Sequence, residues 1–600
     1  MSMEPGFMGR FTQDRDAKKS LRQLDKAAVS VITTHLKPYW KTLLFSVLLM
    51  AVVASVNAAA PYLIRIAIDD HILPGDYAGL LAILAAYVGL YLVYWIASFW
   101  GRYLSSKVGQ SVIADVREQM FSHVMRLSQQ FYERQPIGNL MSRLVNDVNS
   151  ISELISYGLT GVVSDIVTLL AIFAAMVYMN PTLALVAFLV IPMILFGTNA
   201  IGRMMRSASR EVRQKLAGLS AGVEENVAGA RAVRAMGREK QSLERLETLS
   251  KENYAANLKA IVAVALFFPF MSASGTLSSA LVLGVGGGMV RQGALTVGSL
   301  LAFLTYVTKF FMPLRELSQL FATYQTAAAS AERIYELTQV RPDVKERAEP
   351  KELPEQIQAL VEFSNVTFGY EPDKRPVLHG LDLRLEPGEV VAVVGRSGSG
   401  KTTLVKLLTR LYDPEDGTVS IDGIDIRDVR ISRLRQIISV VPQDVFLFDA
   451  SVAENIALGK PDASREQIEE AARMVGADTF IERLPEKYDT QVGERGSRLS
   501  GGQRQLVSFA RALVAGSPIL VLDEATSSVD AETEARLQRA MIQMFKGRTV
   551  LLIAHRFSTL ETADKIAVLD KGRIIGVGEH KQLYESNALY RELYDKQSVS

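Results

Sequence analysis

Cysteine is absent from all 600 residues. That excludes disulfides, thiolate catalysis and Cys-based metal sites, without identifying a compartment. Charge is scarce as well. Asp, Glu, Lys and Arg make up 22% of the chain against 48% apolar residues, and the net charge is +2. A balance so near neutrality carries no expectation of a nucleic-acid partner. The first ~40 residues lack the apolar core of a cleavable signal peptide, so the first apolar segment is expected to stay in place as a membrane helix.

Six hundred residues exceed one domain, at a soft prior of about 150 residues each. The average composition hides two halves. Up to Leu320 the chain carries long uncharged runs, and from Pro350 onward it reads as an ordinary soluble α/β domain. A helix crosses a bilayer with about 20 apolar residues. Thr42 to Ile64 is charge-free for 23 residues, Tyr77 to Gly101 for 25, Ile166 to Gly202 for 37 and Ala260 to Val290 for 31. Asn180-Pro181 supplies a turn in the middle of the third run. A further apolar stretch, Leu295 to Leu314, is interrupted only by Lys309.

This pattern predicts an N-terminal segment over 1–37 and a membrane domain over 38–325. Its six spans fall at about 40–65, 78–101, 157–179, 182–202, 260–284 and 296–318. A linker over 326–357 and a soluble domain over 358–600 complete the chain. Buried soluble helices would explain one such run but not six.

Loop charge predicts orientation. Eight Lys and Arg precede the first span, six lie between Arg102 and Asp165, and twelve between Arg203 and Lys259. The alternate connections carry almost none, so both ends are expected in the cytoplasm of a multi-pass protein of the plasma or bacterial inner membrane. The two long inside connections have helical spacing. Arms of 25–30 residues would extend about 40 Å beyond the bilayer at 1.5 Å per residue.

In the soluble half, the strand-like run Glu389 to Val394 leads into Gly395-Arg396-Ser397-Gly398-Ser399-Gly400-Lys401-Thr402 and then the helical Thr403 to Leu411. A G-x-x-x-x-G-K-[ST] pattern between a strand and a helix curls backbone N–H groups around phosphates. Lys401 supplies positive charge to the β- and γ-phosphates, and the Thr402 hydroxyl can ligand Mg²⁺. A second apolar strand, Ile519 to Leu522, ends at Asp523-Glu524. Asp523 is placed to hold Mg²⁺, directly or through water, and Glu524 to polarise the attacking water. Between them Leu499-Ser500-Gly501-Gly502-Gln503 opens the helical run Arg504 to Leu513, a second anion-binding helix start.

The order phosphate loop, Gln443, Leu499 to Gln503, Asp523-Glu524 and His555 resembles the nucleotide-binding domain of ATP-binding-cassette transporters, and with the spans the likeness covers nearly the whole chain. It implies ATP and Mg²⁺ as cofactors and an all-α six-helix transmembrane domain followed by an α/β P-loop ATPase domain. By the same resemblance Tyr370 stacks on adenine, and Gln443 senses Mg²⁺ and the attacking water. Ser527-Ser528-Val529-Asp530 crosses the dimer interface, and His555 contacts the γ-phosphate. In isolation Tyr370 and His555 would read as packing residues; only the register of the motifs singles them out.

The fused six-span half is similar to the exporter class. Phe131-Tyr132 with Gly138, Ser142-Arg143 and Asn146-Asp147 resembles its first coupling segment, Glu225 to Glu239 its second, and Thr490 to Gly496 the exporter loop that touches them. No protease-like extension precedes the first span, so the peptide-processing subtype is not expected. The family arrangement implies a partner half-transporter, since each ATP lies between the phosphate loop of one cassette and the signature of the other. Glu524 and the signature are intact, which favours a homodimer over a heterodimer.

The expected activity is ATP-driven export of hydrophobic or amphipathic compounds, drugs or lipids. An importer on the same fold and a non-transporting membrane ATPase are the alternatives. Lys309 or Arg315, with Glu316 next to the latter, is a candidate contact for an anionic cargo group, such as a lipid phosphate; a structural ion pair with Asp165 or Glu316 is the competing explanation. Pro313 is expected to kink its helix.

Overall fold

The computed structural model describes residues 33–354, 356–371, 375–523, 531–554 and 560–598. The chain divides into two compact units. One comprises Met1–Met125 and Ile137–Val340, the other Arg126–Pro136 and Arg341–Ser600. The division is not a single cut: an eleven-residue piece from between two membrane helices belongs with the soluble unit.

The first unit is helical. Among the described residues, five helical segments are long and apolar enough to cross a membrane: Thr33–Ile72, Tyr77–Val124, Ile137–Met179, Pro181–Ala228 and Glu239–Arg291. The sixth apolar stretch, Val297–Pro313, is shorter and begins the helix Val297–Gln339, which continues through Pro313. Asn180 caps the helix after the third segment by accepting from the Leu183 N–H at 3.0 Å, and Pro181 takes the first helical position, where no donor is needed. Leu81, Leu84, Trp95, Leu185 and Phe196 stay exposed on these helices. Large apolar side chains facing outward suit hydrocarbon as the surrounding solvent.

Inside the bundle, small residues let helices approach and polar groups find partners. Ser46 donates to the Gly101 carbonyl at 2.9 Å and Ser278 to that of Ala187 at 2.9 Å. Lys309 Nζ donates to Asn57 Oδ1 at 3.0 Å, so neither Asp165 nor Glu316 is its partner. The Arg315 side chain lies outside the described ones. On the first connection the buried Asp147 binds Arg333, Nε to Oδ2 at 2.9 Å, and accepts from Ser330 Oγ at 2.9 Å. The tight Gly229 and Gly237 (φ +61°) bracket the short helix Ala230–Ala235 between the two long arms of the second connection.

The second unit holds ten described strands: β1 (Val361–Phe368), β2 (Leu378–Leu385), β3 (Val390–Gly395), β4 (Asp416–Ile421), β5 (Ile424–Asp425), β6 (Ile438–Val441), β7 (Ile519–Asp523), β8 (Thr549–Ile553), β9 (Lys565–Asp570) and β10 (Arg573–Gly578). One sheet is antiparallel in the order β2-β1-β4-β5. The other runs β10-β9-β3-β8-β7-β6, parallel from β9 to β6, with β10 antiparallel at its edge.

Strands covered on both faces read as continuous apolar runs, and β3, β7 and β8 do so. Their alternate residues feed two cores. Val390, Ala392, Leu520, Leu522 and Leu552 join the core under the helices Arg465–Met474 and Gly501–Val514. Val391, Val393, Val521, Leu551 and Ile553 join the core shared with the antiparallel sheet and with Leu404.

Candidate active site

The site begins at the carboxyl ends of parallel neighbours. Val393 of β3 pairs with Ile553 of β8, Ile553 pairs with Asp523 of β7, and Leu522 pairs with Val441 of β6. Gly395 closing β3, Asp523 closing β7 and Gln443, two residues past β6, therefore emerge from one edge of the sheet. Ligands of open α/β sheets bind at that edge. Strand spacing separates the β3 and β7 ends by about 10 Å, with β8 between them. Asp523 is buried and Gln443 exposed.

The phosphate loop is shaped by its glycines at two places. Gly400 has φ +108°, and a Cβ there would lie 2.7 Å from Leu378 Cδ2. A Cβ on Gly395 would meet the Leu569 carbonyl oxygen on the adjoining β9. Only glycine tolerates both conditions. The loop's crest, Arg396, Ser397 and Gly398, is exposed, whereas Ser399, Gly400 and Lys401 are buried. Arg396 is held outward by Glu592 at 2.9 Å. Lys401 Nζ donates to the carbonyls of Gly395 at 2.9 Å and Arg396 at 3.1 Å, so the ammonium lies within the curl of the loop. Ser399 Oγ is buried with no hydrogen-bond partner among the described residues. A buried hydroxyl without a partner is costly unless a ligand completes it. Thr402 is exposed at the start of the helix Lys401–Leu408, and Thr403, one residue on, is buried. Exposed N–H groups at this helix start favour an anion.

Ser500 caps the helix Gly501–Val514, which begins three residues earlier than hydrophobic spacing alone indicates. The Gln503 N–H donates to Ser500 Oγ at 3.3 Å, and the Ser500 N–H donates to Gln503 Oε1 at 2.9 Å. This reciprocal pair satisfies two donors without covering Gly501, which has open space where a Cβ would be. Gly502 is buried, and Arg504 binds the Leu499 carbonyl at 3.1 Å, fixing the turn from behind. Ser500 and Gly501 are thus presented outward.

Tyr370 lies past β1. Its ring meets Phe368 and Tyr412 edge-on, with centroids 5.1 Å and 5.3 Å away, and its hydroxyl is 3.1 Å from Thr403 Oγ1. Lys406, on the phosphate-loop helix, places its ammonium 4.9 Å from the Tyr370 ring centroid.

Motif reading missed what lies behind this ring. The helix Gln129–Arg134 belongs to the same unit. Gln130 Nε2 and Arg134 Nη2 donate to the Tyr370 carbonyl at 3.2 and 3.4 Å. Glu133 accepts from Lys406 Nζ at 2.9 Å and from the Tyr412 hydroxyl at 2.8 Å. Burial pushes the Glu133 carboxyl up, but the bonds from Lys406 and Tyr412 outweigh it and leave it below its ordinary value. Burial opposes the charge on Lys406 too, yet Glu133 holds its pKa above the usual one. Burial and the Glu133 bond both raise Tyr412. The signal available in the sequence was the polar setting of Phe131-Tyr132, with Gln130 before and Glu133-Arg134 after.

Glu524, Asp530 and His555, assigned from motifs above, lie outside the described residues. So do Ser527, Ser528 and Val529.

Residues 43–314 match the ABC transporter transmembrane region, and residues 378–527 the ABC transporter domain. The chain is 36% identical over 569 residues to the uncharacterized ABC transporter ATP-binding protein YknV of Bacillus subtilis, covering 94% of each. It is 37% identical over 561 residues to the ATP-dependent lipid A-core flippase of Syntrophus aciditrophicus, covering 94% of this chain and 93% of that one. Among solved structures, a bacterial Atm1-family ABC exporter with ATP bound superposes with a TM-score of 0.75 at 30% identity, over 93% of this chain and 99% of that one.

Proposed function

We propose, for a chain that belongs to the ABC transporter family and is an ATP-hydrolysing exporter half-transporter, that two copies close around two ATP molecules and move an amphipathic lipid or drug out of the cytoplasmic leaflet. The observation that carries the reading is the shared sheet edge. The loop that follows β3 holds the buried Lys401, and β7, two places away in the sheet, ends in the buried Asp523. The capped Ser500-Gly501 is turned outward, available to another cassette.

In this reading Gly395 to Thr403 hold the phosphates and Tyr370 takes the adenine. Ser500, Gly501, Gly502 and Gln503 of one copy, with Asp530, close over the nucleotide bound to the other. Mg²⁺ is a hard cation suited to oxygen donors, and Thr402, Asp523 and Gln443 supply them. It would neutralise charge on the phosphates. Glu524 orients the attacking water, Gln443 senses it and His555 contacts the γ-phosphate. Closure of the cassettes shifts the membrane unit only as far as ATP prefers the closed state. The named activity of the flippase relatives supports a lipid cargo. The loop charges support a cytoplasmic cassette and a bacterial inner or plasma membrane.

Lipid vesicles holding the purified protein test this, with a fluorescent lipid whose leaflet is read by quenching. ATP should drive its transfer away from the cassette side. Glu524→Gln should keep ATP binding and lose nearly all turnover and transfer. Near-normal turnover in that variant removes Glu524 from its role, and transfer toward the cassette side makes the protein an importer.

A further inference from the structure

Three of the six residues of the helix Gln129–Arg134 act on Tyr370 or on the groups that box its ring. Gln130 and Arg134 hold its carbonyl. Glu133 holds Lys406, whose ammonium sits over one face of the ring, and also Tyr412, whose ring meets Tyr370 at 89°. The fourth side of the box is the Thr403 hydroxyl, on the helix that carries the phosphate loop. A ring covered on one face by a cation has only its other face for stacking. The cation also draws on the same ring electrons that a stacked base contacts.

We propose that this helix is the rear wall of the base platform, and that Glu133 and Lys406 are positioning residues that set how Tyr370 presents its free face to the nucleotide base. This rests on Tyr370 being the base contact. Whatever bias the helix Gln129–Arg134 gives to base binding, base binding must return to the helix.

The experiment uses the full-length protein in lipid vesicles, with KM and kcat for ATP. Inhibition by Mg²⁺-tripolyphosphate, which has no base, serves as the phosphate-only probe. Glu133→Gln and Lys406→Gln should each raise KM for ATP about two- to fivefold, the cost of a ring no longer held in place for the base. The change in kcat should be smaller and tripolyphosphate inhibition unaltered. Lys406→Arg keeps a cation over the ring and should stay near the parent KM. The double reversal, Glu133→Lys with Lys406→Glu, restores an ion pair but puts an anion over the ring, so KM should remain raised.

A reversal that restores KM fully would show a docking contact with no say in base binding, and would overturn the proposal. So would tripolyphosphate inhibition weakening in step with KM. Tyr370→Ala separates the two layers. If it raises KM while Glu133→Gln and Lys406→Gln do not, the proposal falls and the base contact stands. If Tyr370→Ala leaves KM unchanged, both fall.

Discussion

Ser500 finds its partner three residues away, at Gln503, and Lys309 finds its partner 252 positions away, at Asn57. The contrast recurs in several pairs of each unit, with Asn180 to Leu183 in the first and Glu133 to Lys406 in the second as exceptions. In the soluble unit Ser451 with Glu454, Ser464 with Gln467 and Ser500 with Gln503 each close a capping box within a single turn. In the membrane unit Thr296 reaches Asp69 across 227 positions and Arg333 reaches Asp147 across 186. Helix ends in water compete with solvent for their donors, and a neighbouring serine is the cheapest partner. Long helices in hydrocarbon satisfy their own backbone, so a polar side chain there is met by its own preceding turn, as Ser274 is by the Phe270 carbonyl, or by another helix, as Lys309 is by Asn57. The first arrangement lets a site be written into a few consecutive residues. The second distributes position over the whole bundle.

The comparison breaks first, if it breaks, at Asp147. Asp147→Ala leaves the Arg333 guanidinium beside a vacated pocket. Because Asp147 is buried but the Arg333 side chain is 44% exposed, the loss should be about 2 kcal/mol, below that of a fully buried pair. Thermal unfolding followed by helical signal should show the membrane unit melting earlier, with nucleotide binding by the cassette retained. Loss of nucleotide binding at a temperature where the helices are intact would deny the separation between the units.

The caps sharpen the contrast at a smaller scale. Ser464→Ala and Ser500→Ala should each cost about 1 kcal/mol in denaturant unfolding of the cassette. Only Ser500→Ala should also slow ATP hydrolysis, because only that cap faces outward beside an uncovered glycine. Equal loss of hydrolysis from both would reduce Ser500 to a structural cap.

The smallest effect is with pH. Glu133 has a lowered pKa in the folded chain, so its bonds stabilise above the ordinary value of 4.5 and are lost as pH falls through the lower folded value. Hydrogen exchange of residues 126–136 should stay slow at pH 5 and rise only well below 4.5. A rise already between pH 6 and 5 would mean that the carboxylate is not what holds the helix.

This division also explains what could be read in advance. β3 with its loop, β7 ending at Asp523 and the Ser500 turn were legible because chemistry and local structure are specified there by the same short run of residues. Among the described residues, five of six apolar stretches stand out by length and composition alone, while Val297–Pro313 is the shorter one. The partner of Lys309 was not legible: the sequence offered the carboxylates Asp165 and Glu316, and the bond goes instead to the amide oxygen of Asn57, on a helix far away in the chain. Nor was the pairing of Glu133 with Lys406, separated by 273 positions. Hydrophobic periodicity treats Arg102 to Gln135 as one arm; the break after Val124, which frees Gln129–Arg134 to leave the bundle, carries no glycine or proline to announce it.

The soluble unit's dependence on Arg126–Pro136 has a practical consequence for anyone who would study the ATPase apart from the membrane. A fragment cut at the obvious linker, starting from Arg341, would discard eleven residues that the folded unit counts as its own. It would expose the backs of Tyr370 and Tyr412 and leave Lys406 without its counter-ion. Such a fragment should grip ATP less firmly than the parent, and adding a soluble peptide of sequence 126–136 should recover part of the difference.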